Sequence, residues 1–275
     1  MNAFCARSEA STDGPLSRKN MFSRIQMEKS LNHYQAHAPL TGSNTSPSEV
    51  AFVTLTNQGY VPLTLNCLQS LKRIGCQEKL VCFCIGQGAY SELQNHGHAC
   101  ELIDDEVNTN FQIFRQGNWS NITFYKFEVI HKCLKSKRFV LFTDGDIVFE
   151  KNGFMEYLID QIEDNDLLIQ HDHDSSTGLS DLCSGFMLIA SSPKTLELFD
   201  PCNMTQFRSQ VGWDDQVYVN AIKHQLNVKV LPDELFPCGA VFYKTPEMRP
   251  YMIHFNHVIG HDKKGRMQRH GRWYI

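Results

Sequence analysis

Apolar runs of strand length alternate with helical stripes along most of this chain. Val50-Ala-Phe-Val-Thr-Leu-Thr56, Leu80-Val-Cys-Phe-Cys-Ile85, residues 99–103 and Arg138-Phe-Val-Leu-Phe-Thr143 each read as a strand. A short continuous apolar run suits a strand covered on both faces. Helices are predicted between them, over 61–74, 89–95 and 121–135. Pro62 falls in the first turn of the first helix and Gly75 stops it. Leu65, Leu68, Leu71 and Ile74 lie on or near one face of that helix. Ile122, Val129, Ile130, Cys133 and Leu134 make a stripe on the third. Further on come a helix over 154–162, strands over 167–171 and 186–190, a helix opened by Pro193, and another over 214–224. Such alternation predicts a parallel sheet with helices on both faces. Residues 104–120 read as a loop, and no internal repeat is visible. Residues 1–48, rich in Ser, Asn, Thr, Pro and Gly, read as a flexible tail with one short helical stretch over 26–36. One folded domain is therefore expected over 49–275.

Composition narrows the class. A chain of 275 residues, 42% of them hydrophobic, can bury a sizeable core. Net charge is −4 and no basic block stands out, so a nucleic-acid partner is not expected. No run approaches the roughly 18–20 apolar residues of a membrane span, and the N-terminus lacks the apolar centre of a signal peptide. The ten cysteines include no Cys-x-x-Cys pair, and Cys82 and Cys84 alternate within a strand as small core residues. A reducing, cytosolic setting is expected. The sequons at Asn44, Asn118, Asn121 and Asn203 would matter only in a secreted chain.

Chemistry concentrates at Asp144-Gly145-Asp146, where a buried strand runs out. Carboxylates are seldom left unpaired beside apolar strands. Positions i and i+2 face one way in an extended chain, and Gly145 lets the backbone turn so that both oxygens converge. Hard oxygen ligands suit Mg²⁺ or Mn²⁺, which commonly bridge protein and diphosphate. Two solvated aspartates at a strand end are the plainer alternative. Lys126 shares the apolar stripe of its helix, so it needs an anionic partner or a route to water. Asp214 and Asp215 open a helix, where acids also serve as caps. His171-Asp172-His173-Asp174 follows a strand at what should be a pocket rim, which favours sugar or acceptor contact over a second metal.

Four stretches in order carry a resemblance: Asn121-Ile-Thr-Phe-Tyr-Lys126, the Asp144–Asp146 tripeptide, Ser184-Gly185-Phe186 with Trp213-Asp214-Asp215-Gln216, and His254-Phe-Asn256-His-Val-Ile-Gly260-His-Asp-Lys263-Lys264. They resemble the nucleotide-diphospho-sugar transferase family of GT-A-fold glycosyltransferases, which includes plant cell-wall and algal-virus enzymes. The resemblance spans roughly residues 49–275. It implies an α/β, GT-A-like Rossmann-type mixed sheet flanked by helices. It also implies transfer of a sugar, from a UDP-sugar by preference, to a hydroxyl of a glycan or glycoprotein, with retention favoured over inversion.

By the same resemblance Thr54, Thr56 and Asn57 would hold base and ribose, although each would equally cap the turn. Lys126 would lie near the donor. Asp144 and Asp146 would bind Mn²⁺ or Mg²⁺, Asp144 partly through ribose or water. His254 would be the third ligand. His257 is the alternate, because His257, Gly260 and Lys263 match a His-x-x-Gly-x-x-Lys element of the glycogenin-like transferases. Lys263 or Lys264 would face the leaving group. Ser184 and Gly185 would turn under the donor sugar, with Gln216 and Asn256 as further donor contacts. Asp215, then Asp214, would be the catalytic or sugar-binding carboxylate. Two other readings stand beside this one. One is a non-catalytic sugar- or nucleotide-binding relative. The other is a haloacid-dehalogenase-type phosphatase using Asp144 as nucleophile, since Asp144-x-Asp146-x-Val148 obeys that pattern.

Overall fold

The computed structural model describes residues 49–76, 79–105, 109–112, 116–173, 182–208, 210, 212–260 and 262–275. The expected tail over 1–48, with its short helix, lies outside the described residues. The first expected strand is β1 (Val50–Asn57), and the second, β2 (Leu80–Ile85), matches its apolar run. They pair in parallel, and β3 (Cys100–Ile103) joins β2 in the same sense. β4 (Phe139–Thr143) flanks β1 on the other side, also parallel, and all five of its residues are buried. Beyond it lie β7 (Leu182–Ala190), β6 (Leu167–His171) and β8 (Val228–Val230). The sheet has seven strands in the order β3-β2-β1-β4-β7-β6-β8. The parallel sheet read from the alternation is made mixed by β7, which runs antiparallel to both β4 and β6.

The helices follow the stops and starts in the sequence. α1 (Val61–Arg73) has Pro62 in its first turn, and Gly75 beyond it takes φ 76°. α2 (Gln87–Asn95), α3 (Trp119–Leu134) and α4 (Phe154–Ile162) come next. α5 (Pro193–Leu198) opens with a reciprocal capping box between Ser192 and Thr195. α6 (Pro201–Arg208) and α7 (Asp215–Ile222) follow, then α8 (Gly239–Phe242) and α9 (Asp262–Arg269).

α1 is buried on more than the single face expected, and Asn66 and Ser70 are as inaccessible as Leu68 and Leu71. The C-terminal segment lies against it. Asn66 donates from Nδ2 to the Arg272 carbonyl at 3.0 Å and accepts from the Tyr274 amide at 2.7 Å. Arg272 in turn makes a two-pronged contact with Glu150, at 3.3 and 3.0 Å. The C-terminal segment thus folds back onto α1. Trp273 and Tyr274 pack on a cluster that includes Leu63, Val148 and Phe255.

A second, two-stranded sheet decides where the chemistry converges. β5 (Ile147–Phe149) starts one residue after Asp146 and pairs antiparallel with β9 (Met252–His254). Its register sets Ile147 opposite His254, and the Phe255 amide donates to the Asp146 carbonyl at 3.1 Å. Residues far apart in the chain become neighbours through one backbone ladder.

Candidate active site

Asp144 sits where β4 ends, its amide donating to the Gly185 carbonyl at 2.7 Å. Asp146 is 6% exposed, a burial that a carboxylate tolerates only with compensation. Ligand atoms of Asp144, Asp146 and His254 all lie within 4.8 Å of one another. His254 is held from behind. Gln170 Nε2 donates to the Phe236 carbonyl at 3.0 Å, which leaves Oε1 to accept from His254 Nδ1 at 2.8 Å. Nε2 of the ring therefore faces the two carboxylates, 3.2 Å from Asp146 and 3.9 Å from Asp144. It has no hydrogen bond among the described residues. An imidazole aimed by an outer amide, with its other nitrogen toward two carboxylates, is a donor set that a cation would complete. Two carboxylate oxygens and one imidazole nitrogen fit a divalent ion of the Mn²⁺ or Mg²⁺ type.

Two lysines border the cluster. Lys263 from α9 pairs with Asp146 and also donates to the Phe255 carbonyl at 3.4 Å. Burial works against the Asp146 charge, but Lys263 and then His254 outweigh it and hold this carboxyl far below the usual carboxylate range. Lys126, 4% exposed on α3, pairs with Asp215 and lies 3.2 Å from Asp144. Burial opposes its charge too, and Asp144 and Asp215 overcome that to hold its pKa above the ordinary lysine value. Its ammonium also donates to the Ser184 carbonyl at 3.1 Å, while Ser184 Oγ donates to Asp215 at 2.7 Å. The expected anionic partner of Lys126 is thus a pair of carboxylates.

These groups open on a cavity of about 360 Å³, within the size range of small-molecule sites. Thr56, Asn57, Ser184, Gln216, Asn256 and Gly260 line it with the residues above. Thr54 does not. It lies three residues short of the end of β1 and is fully buried, so the structure does not bring it to the other expected donor contacts. The apolar run ending at Thr56 grouped Thr54 with the strand end but could not fix where the strand stops. Asn57 is tied to its own turn, accepting from the Tyr60 amide at 3.2 Å and donating to the Asn110 carbonyl at 2.8 Å.

Ser184 and Gly185 were expected in a turn and lie instead within β7. The strand keeps its ladder with β4, while its register against β6 jumps between Ile169 and Gln170. Gly185 is required by approach rather than by turning. A Cβ there would stand 2.3 Å from His254 Cε1 and 2.7 Å from an Asp144 oxygen. Geometry separates the two histidines, and of the pair only His254 lies with Asp144 and Asp146. His257 takes a left-handed φ of 56° and bonds from Nε2 to the Asp172 carbonyl oxygen at 2.8 Å, outside the cluster. Hydrogen bonding to Asp172, then to Cys238, raises its pKa to about 10. Lys264 reaches over the Trp273 ring at 4.9 Å, leaving Lys263 as the lysine at the cluster. Asp214 caps α7, accepting from the Val217 amide at 2.8 Å.

Asp172 is the wall residue whose part the sequence left least defined. Its carboxylate accepts from Gln216 at 2.8 Å and Asn256 at 3.1 Å, joining two expected donor contacts. Gln170 was not singled out at all. A lone amide inside Leu-Leu-Ile-Gln-His is the signal that would have found it.

The sequence profile of nucleotide-diphospho-sugar transferases matches residues 77–268, more than half of the chain. The chain belongs to the nucleotide-diphospho-sugar transferase family. That membership displaces the phosphatase reading of Asp144. A UDP-galactose:fucoside alpha-3-galactosyltransferase of Dictyostelium discoideum is 25% identical, with 81% of this chain aligned. The chain spans 43% of the length of that relative. Among solved structures, a glycosyltransferase involved in glycosylation of the major capsid of PBCV-1 superposes with TM-score 0.52 at 8% identity, covering 80% of this chain and 98% of that one. The galactosyltransferase LgtC, in complex with donor and acceptor sugar analogs, gives TM-score 0.52 at 13% identity, covering 74% and 86%. These likenesses bear out the expected GT-A-like mixed α/β fold. Among the described residues, no helix is long and apolar enough to cross a membrane.

Proposed function

We propose that this chain is a metal-dependent glycosyltransferase that moves a sugar from a nucleotide diphosphate to a hydroxyl of a glycan or glycoprotein. The observation that carries this reading is the orphaned His254 Nε2, aimed at Asp144 and Asp146 in the wall of the cavity. Those three residues would hold Mn²⁺ or Mg²⁺, which when bound neutralises the charge that grows on a departing diphosphate. Lys263 offers a second positive charge on the same side of the cavity. Gly260 lets the backbone pass close to the phosphates, and Thr56 and Asn57, at the carboxyl end of β1, are where base and ribose would lie. A UDP-sugar is the favoured donor. UDP-galactose comes first, because the Dictyostelium relative is named for it.

Lys126, Asp215 and Ser184 form a buried, mutually bonded floor to the cavity. Such a floor is rigid, so it would orient sugar hydroxyls rather than move to meet them. Gln216 and Asn256, both held by Asp172, would supply amide contacts to the sugar. Retention is favoured over inversion by the same bonding. An inverting reaction needs a base that takes the acceptor proton. Asp214 caps α7, while Asp215 is engaged by Lys126 and Ser184.

The test is to incubate the full chain with Mn²⁺ and a panel of UDP- and GDP-sugars, following released nucleotide beside an Asp146→Ala control. Slow hydrolysis of one donor, lost in the control, is the expected result. Calorimetry on the same samples should show nucleotide binding that depends on Mn²⁺. Absence of both signals would end the transferase reading.

A further inference from the structure

A second cluster of metal-ligating side chains stands apart from the cavity. His171, the last residue of β6, and His173 two residues on meet Asp233 from the segment after β8, with one ligand atom of each within 4.8 Å of the others. None of the three lines the cavity. The Leu231 amide donates to the Ile169 carbonyl at 2.8 Å, which carries the segment bearing Asp233 along the end of β6. The two imidazole rings stand edge to face with centroids 3.9 Å apart, and His173 Nε2 lies 2.6 Å from Asp233 Oδ2.

Two observations separate this group from an ordinary surface ion pair. The second oxygen of Asp233, Oδ1, is buried and has no hydrogen-bond partner among the described residues. An orphaned carboxylate oxygen costs free energy unless something positive completes it. His173 is also one of few non-glycine residues with a left-handed backbone, φ 58°. Histidine adopts that region uncommonly, and where it does the surroundings hold it there. The conformation brings the His173 ring onto both His171 and Asp233.

We propose that His171, His173 and Asp233 form a binding site for a transition-metal dication of the Zn²⁺ class. Two imidazole nitrogens and one carboxylate oxygen are the ligand chemistry that selects Zn²⁺ over Mg²⁺ or Ca²⁺, with water in the fourth tetrahedral position. The site is structural, because it lies outside the cavity. Its reach to the cavity is through Asp172, which sits between the two histidines and holds Gln216 and Asn256. A metal that fixes residues 171 and 173 fixes the backbone of Asp172 as well.

Zinc titrated into the full chain, read by calorimetry and by metal analysis after dialysis, tests this. The variants are His171→Ala, His173→Asn and Asp146→Ala. Asparagine tolerates the left-handed backbone at 173, so that variant removes the ring without disturbing the turn. Asp146→Ala disables the other cluster. The wild type and Asp146→Ala should share one zinc site that His171→Ala and His173→Asn each weaken. The loss should be at least the roughly 10–100-fold seen on removing a mere outer-sphere partner. Zinc should raise the thermal unfolding midpoint of Asp146→Ala and leave that of the double variant Asp146→Ala with His173→Asn unmoved. Equal zinc affinity and stoichiometry in the wild type and both histidine variants would overturn the proposal, as would loss of all zinc binding in Asp146→Ala.

Discussion

Gln170 accepts a hydrogen bond from His254 Nδ1 at 2.8 Å, and that bond turns the other ring nitrogen toward Asp144 and Asp146. Gln170 never reaches the cavity, so its effect is on ring orientation alone. Outer partners of metal-binding histidines typically contribute 10–100-fold in affinity (roughly). Gln170→Ala should therefore weaken Mn²⁺ binding by about that factor while turnover at saturating Mn²⁺ stays close to wild type. Calorimetric Mn²⁺ titration beside a Mn²⁺ dependence of turnover checks it. Unchanged Mn²⁺ affinity would mean that the ring needs no such support.

Lys126 is the hinge of the buried charge network, facing Asp144 and Asp215 from α3. Deleting one member of a buried ion cluster leaves the others uncompensated, typically at about 3–5 kcal/mol. Lys126→Met should lower unfolding free energy in urea by an amount of that order. Adding Asp215→Asn should restore part of it, because one of the two stranded charges is then gone. If the double variant is no more stable than the single one, the network is not coupled as the distances suggest.

Much of this architecture is legible in the sequence for a simple reason. β1, β2 and β4 are covered on both faces, so each shows as an unbroken apolar run, and α1 is bracketed by Pro62 and Gly75. The Asp144–Asp146 pair is visible because charge at the end of such a run is out of place. His254 is not visible by pattern, since only the β5–β9 ladder brings it to Asp146. Resemblance nominated it beside His257, and geometry separates the two. Thr54 was over-read because the resemblance names the end of the strand and the strand runs three residues past Thr54. Gly185 was over-read as a turn because a glycine in sequence looks the same whether it bends the chain or merely makes room.

Room is what Gly185 makes. A methyl group there would stand 2.3 Å from the His254 ring and 2.7 Å from an Asp144 oxygen, closer than any real contact. The ring is locked by Gln170 and the strand by its ladder, so the carboxylate and imidazole must part. Gly185→Ala should cut Mn²⁺-dependent turnover by roughly 100-fold or more, since about 1 Å of misplacement at a reacting centre is enough for that. Circular dichroism should show the sheet retained. Full activity in this variant would show that the three ligands do not need to meet as they do here.

His257 carries a pH dependence whose sign is fixed by its environment. Its hydrogen bonds to Asp172, and then to Cys238, raise its pKa to about 10, against about 6.5 for a free histidine. The folded state therefore holds the proton more tightly than the unfolded chain. The stability this contributes is fully present below about pH 6.5 and declines as pH rises, being lost through pH 10. The ring is only half buried, so solvent screening reduces the contribution to the order of 1 kcal/mol. His257→Asn keeps a residue that tolerates the left-handed backbone and removes the titrating group. Urea unfolding of both proteins across this range should show a gap between them that is widest at the acidic end and closes toward alkaline pH. A gap that stays constant, or one that widens with pH, would place the stabilising proton elsewhere.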